Sequence, residues 1–455
     1  MDEMELIMQE LLEYLHSKRF ISMHKYLDTL NPADIAEAME ELLDDGDIGP
    51  EELLLIFRIL PKELAADTFV EMESELQQSL IAAFSDAELR EVLNDVFLDD
   101  TVDIIEEMPA NVVKKILQNV DAATRKNINQ ILNYPEDSAG SIMTIEYVDL
   151  KPDFTVKESF DHIRKTGVDK ETIYICYVVD HRRLIGLVTV KELLLAEETD
   201  KISDLMETNV ISIQTTDDQE EVARMFYKYE FTAFPVVDAE NRLVGIVTFD
   251  DALEVMQEEA TEDMERMAAI LPSDRAYLKT SVWDTWKQRI PWLMLMMVSA
   301  TFTSIIITHF ESALAAQVVL TAFIPMLMGT GGNSGNQACV TIIRGLSLGD
   351  IEFEDIIKVI WKEIRVAVLC GVTLSAVNFL KLIYFDHVST EVAAVVSLTL
   401  IGTVLVAKLV GCSLPMLASR TGVDPAVMAS PFISTIVDAM SLLIYFQIAT
   451  TLLGL

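Results

Sequence analysis

Apolar positions recur every three and four residues through about the first 134 residues, a spacing that predicts amphipathic helices. A loose repeat begins at Leu30, Leu60, Phe84 and Met108, and each copy places a capping residue or a proline before a short helix. Short helical hairpins stacked into a superhelix fit this pattern, and a plain helical bundle is the alternative. We therefore predict an all-α superhelical N domain over residues 1–134.

A second repeat, of mixed strand and helix pattern, occupies the next part of the chain. Each copy reads as strand, helix, strand, turn, strand and helix, and the two copies end in "VVDHRRLIGLVTVKELL" and "VVDAENRLVGIVTFDDAL". These endings resemble those of a tandem pair of CBS domains. The resemblance implies an α+β pair, with CBS 1 over residues 135–200 and CBS 2 over residues 201–260.

The remaining residues change from polar to strongly apolar. Residues 261–289 predict a polar connecting (plug) helix. Residues 290–455 contain stretches near the roughly 20 apolar residues that cross a membrane, and they predict a transmembrane domain with five helices. The five predicted spans are Pro291–Thr308, Ala316–Gly345, Ile364–Tyr384, Val392–Leu417 and Ala426–Leu455.

The charge is distributed as unevenly as the hydropathy. The formal net charge is −39, and residues 291–455 contain ten acids and seven bases, so the first 290 residues carry −36. Such a surface argues against nucleic acid as a partner, because phosphate binding requires lysine and arginine. It suits partners that are divalent cations. A merely solvated acidic surface is the alternative for most of these carboxylates.

The basic residues near the spans predict an orientation in the membrane. The first residues are acidic and lack the basic and apolar regions of a signal peptide, so we expect a cytoplasmic N-terminus in a multi-pass protein of the cell (inner or plasma) membrane. The C-terminus then lies outside, and lipid surrounds the spans. The bases that fall on the cytoplasmic side are Lys279, Lys287, Arg289, Arg344, Lys358, Lys362, Arg365 and Arg420.

An aspartate interrupts the last span, "STIVDAMSLLIYF". A charge at this depth costs roughly 2.5–3.5 kcal/mol on insertion scales, so Asp438 must face protein, water or a cation. A structural hydrogen bond or an ion pair with Lys408 is the alternative, unless Lys408 extends toward the membrane surface or faces lipid. We predict an ion pathway at Asp438, with Ser434 and Thr435, one turn earlier, contacting the water shell of the ion.

The second predicted span contains "GTGGNSGNQ", which predicts a broken helix in the bilayer. A glycine kink for close helix packing is the alternative. Oxygen ligands without His or Cys suit Mg²⁺, Ca²⁺ or Mn²⁺, and one aspartate among neutral oxygens fits hydrated Mg²⁺. The expected oxygens are the freed carbonyls of Gly329, Thr330, Gly331 and Gly332 and the side-chain amides of Asn333, Asn336 and Gln337.

Acidic residues cluster on single helix faces in the first 290 residues. Like charges so placed repel one another, and bridging divalent cations relieve that repulsion. The clusters therefore suggest a Mg²⁺ sensor, with a solvated acidic face as the alternative. No nucleophile with a base, zinc motif or Walker loop is evident, so we do not expect an enzyme. The clustered acids include Asp99, Asp100, Asp103, Asp250, Asp251, Glu254, Glu258, Glu259, Glu262 and Asp263.

With these motifs in order, the chain resembles the MgtE family of magnesium channels over nearly its whole length. The motifs that carry the resemblance are "YPEDSAGSIMT", "EEATED", "PMLMGTGGNSGNQ" and "GVDPAVMASPFISTIVDAMSLLIYF". It implies a homodimer with a central Mg²⁺ pore that closes when intracellular Mg²⁺ binds the acidic N and CBS domains, which places the chain in Mg²⁺ homeostasis.

The resemblance also implies roles for individual acids. Asp438 corresponds to the pore aspartate, and Asp424 to the residue that Mg²⁺ joins to Glu259 and Glu262. Some family members bind ATP between the CBS repeats, and Glu192 stands where an acid would hold the ribose. The acids implied as ligands between the N and CBS domains are Asp100, Asp103, Asp218, Glu220, Glu230, Asp251 and Glu254; Glu230 and Glu254 stand where aspartates are expected.

Two other functions compete with a channel. A secondary transporter would couple a divalent cation to H⁺ or Na⁺ at Asp438, although such transporters often contain inverted repeats, and we find none in the sequence. A membrane-anchored CBS sensor would transport nothing, but it would not need polar residues inside a membrane helix. A Mg²⁺-selective channel is therefore the function that the sequence favours.

Overall fold

The computed structural model describes residues 3–273, 277–428 and 430–454, and the chain divides into two compact units. The first unit is Met1–Val255 and the second is Met256–Leu455.

The N-terminal part of the first unit is a stack of short helices, as predicted. Pro32 lies in the first turn of α3, and the Ser85 hydroxyl accepts a hydrogen bond from the Glu88 amide to begin α7. Helices α1, α3, α5, α7 and α9 contact one another in series, which confirms the superhelical arrangement. The helices are α1 (Glu3–His16), α2 (Phe20–Leu27), α3 (Pro32–Asp44), α4 (Pro50–Ile59), α5 (Lys62–Val70), α6 (Ser74–Ala83), α7 (Asp86–Asp95), α8 (Leu98–Glu107), α9 (Ala110–Asn119) and α10 (Ala122–Ile131).

Two similar α/β repeats follow, in the predicted element order. In each, the first strand is parallel to the second, and the second is antiparallel to the third. The first repeat contains β1 (Val148–Leu150), α11 (Val156–Thr166), β2 (Ile175–Asp180), β3 (Arg183–Thr189) and α12 (Val190–Leu195). After α13 (Ile202–Leu205), the second contains β4 (Ile213–Gln214), α14 (Gln219–Tyr229), β5 (Ala233–Val237), β6 (Leu243–Thr248) and α15 (Phe249–Met267).

The repeats share structure across the boundary predicted from the sequence. Ala139 and Met143 precede β1, yet they lie in the hydrophobic core of the second repeat. The Thr144 amide donates to the Ile246 carbonyl at 2.8 Å, so this segment pairs with β6. Gly245 permits the approach, because a Cβ there would lie 2.7 Å from the Met143 sulfur. The start of the first repeat therefore completes the second.

The second unit is built from long helices around α20. Helix α20 packs against α18, α19 and α21, and α21 packs against α16. The helices are α16 (Val282–His309), α17 (Glu311–Ala316), α18 (Ile324–Ser347), α19 (Ile356–Tyr384), α20 (Thr390–Thr421) and α21 (Ser430–Leu453). The last residues of α15, from Met256, also belong to this unit.

Four helical segments of the described chain are long and apolar enough to cross a membrane: Val282–His309, Phe353–Tyr384, Thr390–Thr421 and Pro425–Leu453. The second predicted span corresponds to α18, which is 24 residues long but rich in Gly, Asn, Ser and Thr. It is absent from that set, so five crossings stay a prediction.

The expected break in the second span is wrong. Helix α18 is continuous from Ile324 to Ser347, so the carbonyls of Gly329, Thr330, Gly331 and Gly332 lie in its backbone ladder and are not freed. The glycines act instead through close packing, the alternative reading of the same motif. A Cβ at Gly411 of α20 would clash with the Gly335 carbonyl oxygen, so the two backbones touch at this crossing.

The connecting helix predicted over residues 261–289 is also not one helix. Helix α15 ends at Met267, and α16 begins at Val282. Ala269 has a left-handed φ of 60°, and Pro272 follows, which a continuing helix would not accommodate. Residues 274–276 of the predicted helix lie outside the described residues.

Candidate ion pathway and cation sites

Asp438 lies in the middle of α21 and is half-buried. It has no hydrogen bond or ion pair to a described residue. One turn earlier, the Thr435 hydroxyl lies 2.9 Å from the Ser299 hydroxyl of α16, and Ser434 is half-buried. The structure therefore places a carboxylate and two hydroxyls on adjoining turns of α21, and their role in an ion pathway stays a prediction.

The polar face of α18 lies beside this part of α21. A Cβ at Gly332 would lie 3.9 Å from the Ser434 hydroxyl, whereas one at Gly331 would meet Val437 at 2.8 Å. Gly329, Asn333 and Gln337 recur every four residues and form an exposed stripe, which we call the α18 polar stripe. Thr330, Gly332 and Asn336 are half-buried beside it.

Three buried oxygens in the α18, α20 and α21 packing have no hydrogen-bond partner among the described residues. They belong to Asn336, Thr403 and Ser441. Buried polar atoms are usually satisfied, so these unpartnered oxygens are candidate contacts for water or an ion. Sequence reasoning found Asn336 but missed Thr403 and Ser441. The only available signal was a lone hydroxyl within an apolar run, which is common in membrane helices.

Lys408 is buried and pairs with Glu363, so the structure supports neither of the alternatives considered for it, an ion pair with Asp438 or a position facing lipid. Its Nζ lies 3.5 Å from Glu363 Oε2 of α19, and the side chains are only 6% and 12% exposed. Two opposite charges buried together compensate each other's desolvation. The pair therefore accounts for Lys408, and Asp438 is left without a cationic side chain beside it in the described structure.

Asp424 lies where α20 gives way to α21, just before a short 3-10 turn, Pro425–Met428. Its Oδ1 accepts a hydrogen bond from the Ala426 amide at 2.7 Å, and its Oδ2 is bonded to the Arg266 guanidinium. Arg266 also forms an ion pair with Glu262 on α15. Asp424 and Glu262 therefore contact one arginine, which sequence reasoning missed, and a metal between the two acids stays a prediction.

A second group of carboxyl groups lies in the first unit, on α8 and at the start of α15. Asp99 is 5% exposed, and its Oδ1 is buried without a hydrogen-bond partner in the described structure. Burial, and then the Asp251 carboxylate, raise the pKa of Asp99 well above its ordinary range. The same two causes raise the pKa of Asp100 to about 7. We call Asp99, Asp100, Asp103, Asp251 and Glu254 the α8–α15 acidic cluster.

Asp103 and Asp251 of the α8–α15 acidic cluster are affected similarly. Asp103 keeps an exposed face, yet the surrounding protein, Asp251 and Glu254 raise its pKa to about 8. Burial raises the pKa of Asp251 to about 6, although its carboxylate accepts a hydrogen bond from the Thr248 hydroxyl at 2.6 Å. We find no ion pair between this cluster and a described Lys or Arg, so protons or added cations are available to compensate its charge.

The cluster is not assembled into a ligand cage. In the part of the chain that the structure describes, no group of three or more His, Cys, Asp or Glu side chains is arranged to hold a metal ion. Three other predicted ligands have local roles at the ends of α14: Asp218 caps it, Glu220 pairs with Arg224, and Glu230 ends it in a left-handed conformation. Their assignment as ligands stays a prediction.

Glu192, the predicted ATP contact, caps α12. Its Oε2 accepts hydrogen bonds from the Thr189 amide at 2.8 Å and the Thr189 hydroxyl at 2.9 Å. Both bonds use the same oxygen, so Oε1 is available to a ligand. Glu158 makes the same capping box with Thr155 at the start of α11.

Comparisons with known proteins agree with this architecture. Residues 324–448 match the profile of a divalent cation transporter, MgtE, and residues 30–137 match the MgtE intracellular N domain. Residues 139–198 and 202–258 each match the CBS domain.

Similar proteins extend over most of the chain. The magnesium transporter MgtE of Thermus thermophilus is 36% identical over 437 residues, 95% of each chain. That of Bacillus subtilis is 32% identical over 89% of this chain and 92% of its own. The crystal structure of the cytosolic domain of the Mg²⁺ channel MgtE in complex with ATP is 34% identical, covers 55% of this chain and 99% of its own, and has a TM-score of 0.50. The chain therefore belongs to the MgtE family of magnesium transporters.

Proposed function

We propose that this transporter is a Mg²⁺-selective channel, which imports Mg²⁺ down its electrochemical gradient through a pore formed by two copies of the chain. The observation that carries the proposal is Asp438, an acid without a described partner in an apolar helix that packs against two helices with unpartnered buried oxygens. Mg²⁺ gives up its water slowly and usually binds through one or two carboxylates with several waters retained. Asp438 supplies the charge, and Asn336, Ser434 and Thr435 supply oxygens for that water.

Two exposed surfaces of the second unit support a homodimer. Helix α16 has no buried residue, and Leu293, Met297 and Phe302 are each more than half exposed, so this helix needs lipid or another copy around it. The α18 polar stripe is unsuitable for lipid, because unsatisfied amides are costly in hydrocarbon. We propose that two polar stripes face each other across a wet path, on which two Asp438 carboxylates share the cation.

Modification of introduced thiols tests this pathway. With the four natural cysteines replaced, Asn333→Cys is expected to lose most Mg²⁺ uptake into liposomes after treatment with a cationic methanethiosulfonate, because the added charge and bulk lie in the ion path. Leu398→Cys is the matched control, since Leu398 is an exposed apolar residue of α20. Equal sensitivity of both variants, or resistance of Asn333→Cys despite complete labelling, would remove the stripe from the pathway.

The orientation proposed for the channel follows from the charges near its ends. Lys279, Lys287 and Arg289 precede the first span, and Arg420 lies between the last two. The positive-inside rule then places the N-terminus in the cytoplasm and, with five crossings, the C-terminus outside. The acidic first unit would consequently face the cytosolic Mg²⁺ pool.

We propose that cytosolic Mg²⁺ closes the channel by binding the α8–α15 acidic cluster. The residues suit a cation, because their carboxyl groups are crowded, partly buried and unpaired with described Lys or Arg. Mg²⁺ would draw α8 toward α15 by replacing mutual repulsion with attraction. Asp218, Glu220 and Glu230 extend the proposed ligand set of the first unit, and Glu259, Glu262 and Asp263 are the ligands that we propose in the second unit.

ATP is the second ligand that we propose for the CBS pair, with Oε1 of Glu192 accepting from a ribose hydroxyl. Glu192→Gln is expected to weaken ATP binding to the full chain by roughly tenfold, because a hydrogen bond to a charged group contributes about 1.5–3 kcal/mol. Isothermal titration calorimetry measures this change. Glu158→Gln alters an equivalent capping box and should bind as the unmodified chain does. If both variants bind equally, Glu192 is not an ATP ligand.

A further inference from the structure

Arg266, on the last turn of α15, joins two acids that the resemblance assigns to a metal. Its guanidinium is bonded to Asp424 Oδ2 and forms an ion pair with Glu262 Oε1, and Glu259 lies within electrostatic reach. The side chain is about a third exposed, at 32%. A planar guanidinium has donors on two sides and therefore suits a bridge between two carboxylates.

The bridge ends at a structurally constrained point. Gly422 terminates α20 in a left-handed conformation with φ 73°, and Asp424 follows two residues later. Because Asp424 Oδ1 is bonded to the Ala426 amide, both of its oxygens are already engaged. Beside Arg266, Met267 packs against a cluster that includes Cys339, Ala407 and Val437 of α18, α20 and α21. Arg266 therefore fastens the end of α15 to the segment that leads into α21.

This arrangement does not fit Mg²⁺ bound between Asp424 and Glu262. A guanidinium and a divalent cation on one carboxylate repel each other, and Mg²⁺ requires near-ideal octahedral geometry with short contacts. A metal that coordinates Asp424 at Oδ2 must therefore displace Arg266. The structure thus contains a cationic side chain in the place where the resemblance predicts a metal.

We propose that Arg266 is a tethered cation that holds α15 against the α20–α21 link when Mg²⁺ is scarce, and that it competes with Mg²⁺ for Asp424. This inference rests on the proposed gating by Mg²⁺ and adds a residue that sets its concentration range. Two consequences of opposite sign follow. Removal of Arg266 weakens the contact between α15 and the α20–α21 link when no metal is bound. It also lets Mg²⁺ bind Asp424 at lower concentration, because the competing and repelling charge is gone.

Hydrogen exchange of residues 256–267 in the purified full chain measures both consequences, first in EDTA and then along a Mg²⁺ titration. In EDTA, we expect the protection factor of residues 256–267 to be about tenfold lower in Arg266→Gln than in the unmodified chain, because the variant lacks a charge-assisted hydrogen bond. We also expect its half-saturating Mg²⁺ concentration to fall by at least about threefold. Lys287→Gln, which removes a base from the exposed pair with Asp284, should change neither value.

Asp424→Asn separates the two consequences, because it removes the acceptor and keeps Arg266. We expect the same loss of protection in EDTA, without a gain in Mg²⁺ affinity. Unchanged protection of Arg266→Gln in EDTA would overturn the tether, and an unchanged or higher half-saturating concentration would overturn the competition. If the unmodified chain showed no Mg²⁺-dependent protection, the proposed gating and the competition would both fail, while the EDTA comparison would still decide the tether. Unaltered protection of α20 excludes misfolding as the cause.

Discussion

Asp438→Asn should reduce Mg²⁺ uptake into liposomes by at least about tenfold, because it removes the only charge on the described part of α21, one turn from the unpartnered oxygen of Ser441. Interactions of a charged group exceed those of a neutral one by roughly 1.4 kcal/mol or more, and that difference corresponds to a factor of ten. Asparagine is nearly isosteric with aspartate, so the helix packing should be retained. The change therefore tests charge and not shape.

Uptake is followed with a Mg²⁺-sensitive dye inside the liposomes at a clamped membrane potential. Glu391→Gln is the matched control, since Glu391 is an exposed acid in the first turn of α20 and should tolerate neutralisation. Uptake by Asp438→Asn at the rate of this control would exclude Asp438 from the pathway. Loss in both variants would instead point to a general effect of charge on the membrane domain.

Protection of α8 from hydrogen exchange should depend on pH and on Mg²⁺ in opposite ways. The folded pKa values of Asp100 and Asp251 are about 7 and about 6, above the ordinary value of 3.8. The folded cluster therefore binds more protons than the unfolded one, so its stability is complete below the ordinary pKa and is lost as the pH rises through the folded values. Without metal, we therefore expect the hydrogen-exchange protection factor of α8 to be lower at pH 8 than at pH 6. Each unit by which folding raises a pKa changes the opening equilibrium by about tenfold once the group has ionised.

Mg²⁺ should reverse that loss. At pH 8 Asp100 and Asp251 are mostly ionised, and a divalent cation replaces the missing protons; at pH 6 it must displace more of them, so its effect is smaller. Asp100→Asn should raise metal-free protection at pH 8 and weaken the response to Mg²⁺. Asp47→Asn, in the exposed turn after α3, should behave like the unmodified chain. Protection that increases with pH, or an equal response to Mg²⁺ at both pH values, would contradict the sensor proposal.

The domain order follows from local patterns, which is why the sequence predicts it well. Repeated caps and prolines predict α3, α5, α7 and α9, and the alternation within each CBS-like repeat predicts its strands. The pairing of Thr144 with Ile246 was not predictable in this way, because it joins segments about a hundred residues apart. Local periodicity contains no information on such contacts.

The candidate sites, too, can be predicted from the sequence only where a single residue is unusual in its local surroundings. An aspartate in an apolar run is conspicuous, so Asp438 is recognised from the free-energy cost of placing a charge in a membrane helix. The glycines of α18 are ambiguous, since a broken helix and a tightly packed one require the same residue; only the contact with Gly411 decides between them. Arg266 and Glu363 look like ordinary surface charges in the sequence, and their importance comes from partners on other helices.

The central claim is that the chain conducts Mg²⁺ as a channel, and the reversal potential of its current tests this most directly. The purified chain is placed in a planar bilayer with a tenfold Mg²⁺ gradient and with equal pH and Na⁺ on both sides. We predict reversal near 30 mV, the value of about 30 mV per tenfold gradient for two charges, and no change when a pH or Na⁺ gradient is added. A reversal potential that moves with the H⁺ or Na⁺ gradient, or Mg²⁺ transport without current, would contradict the channel and favour a coupled transporter.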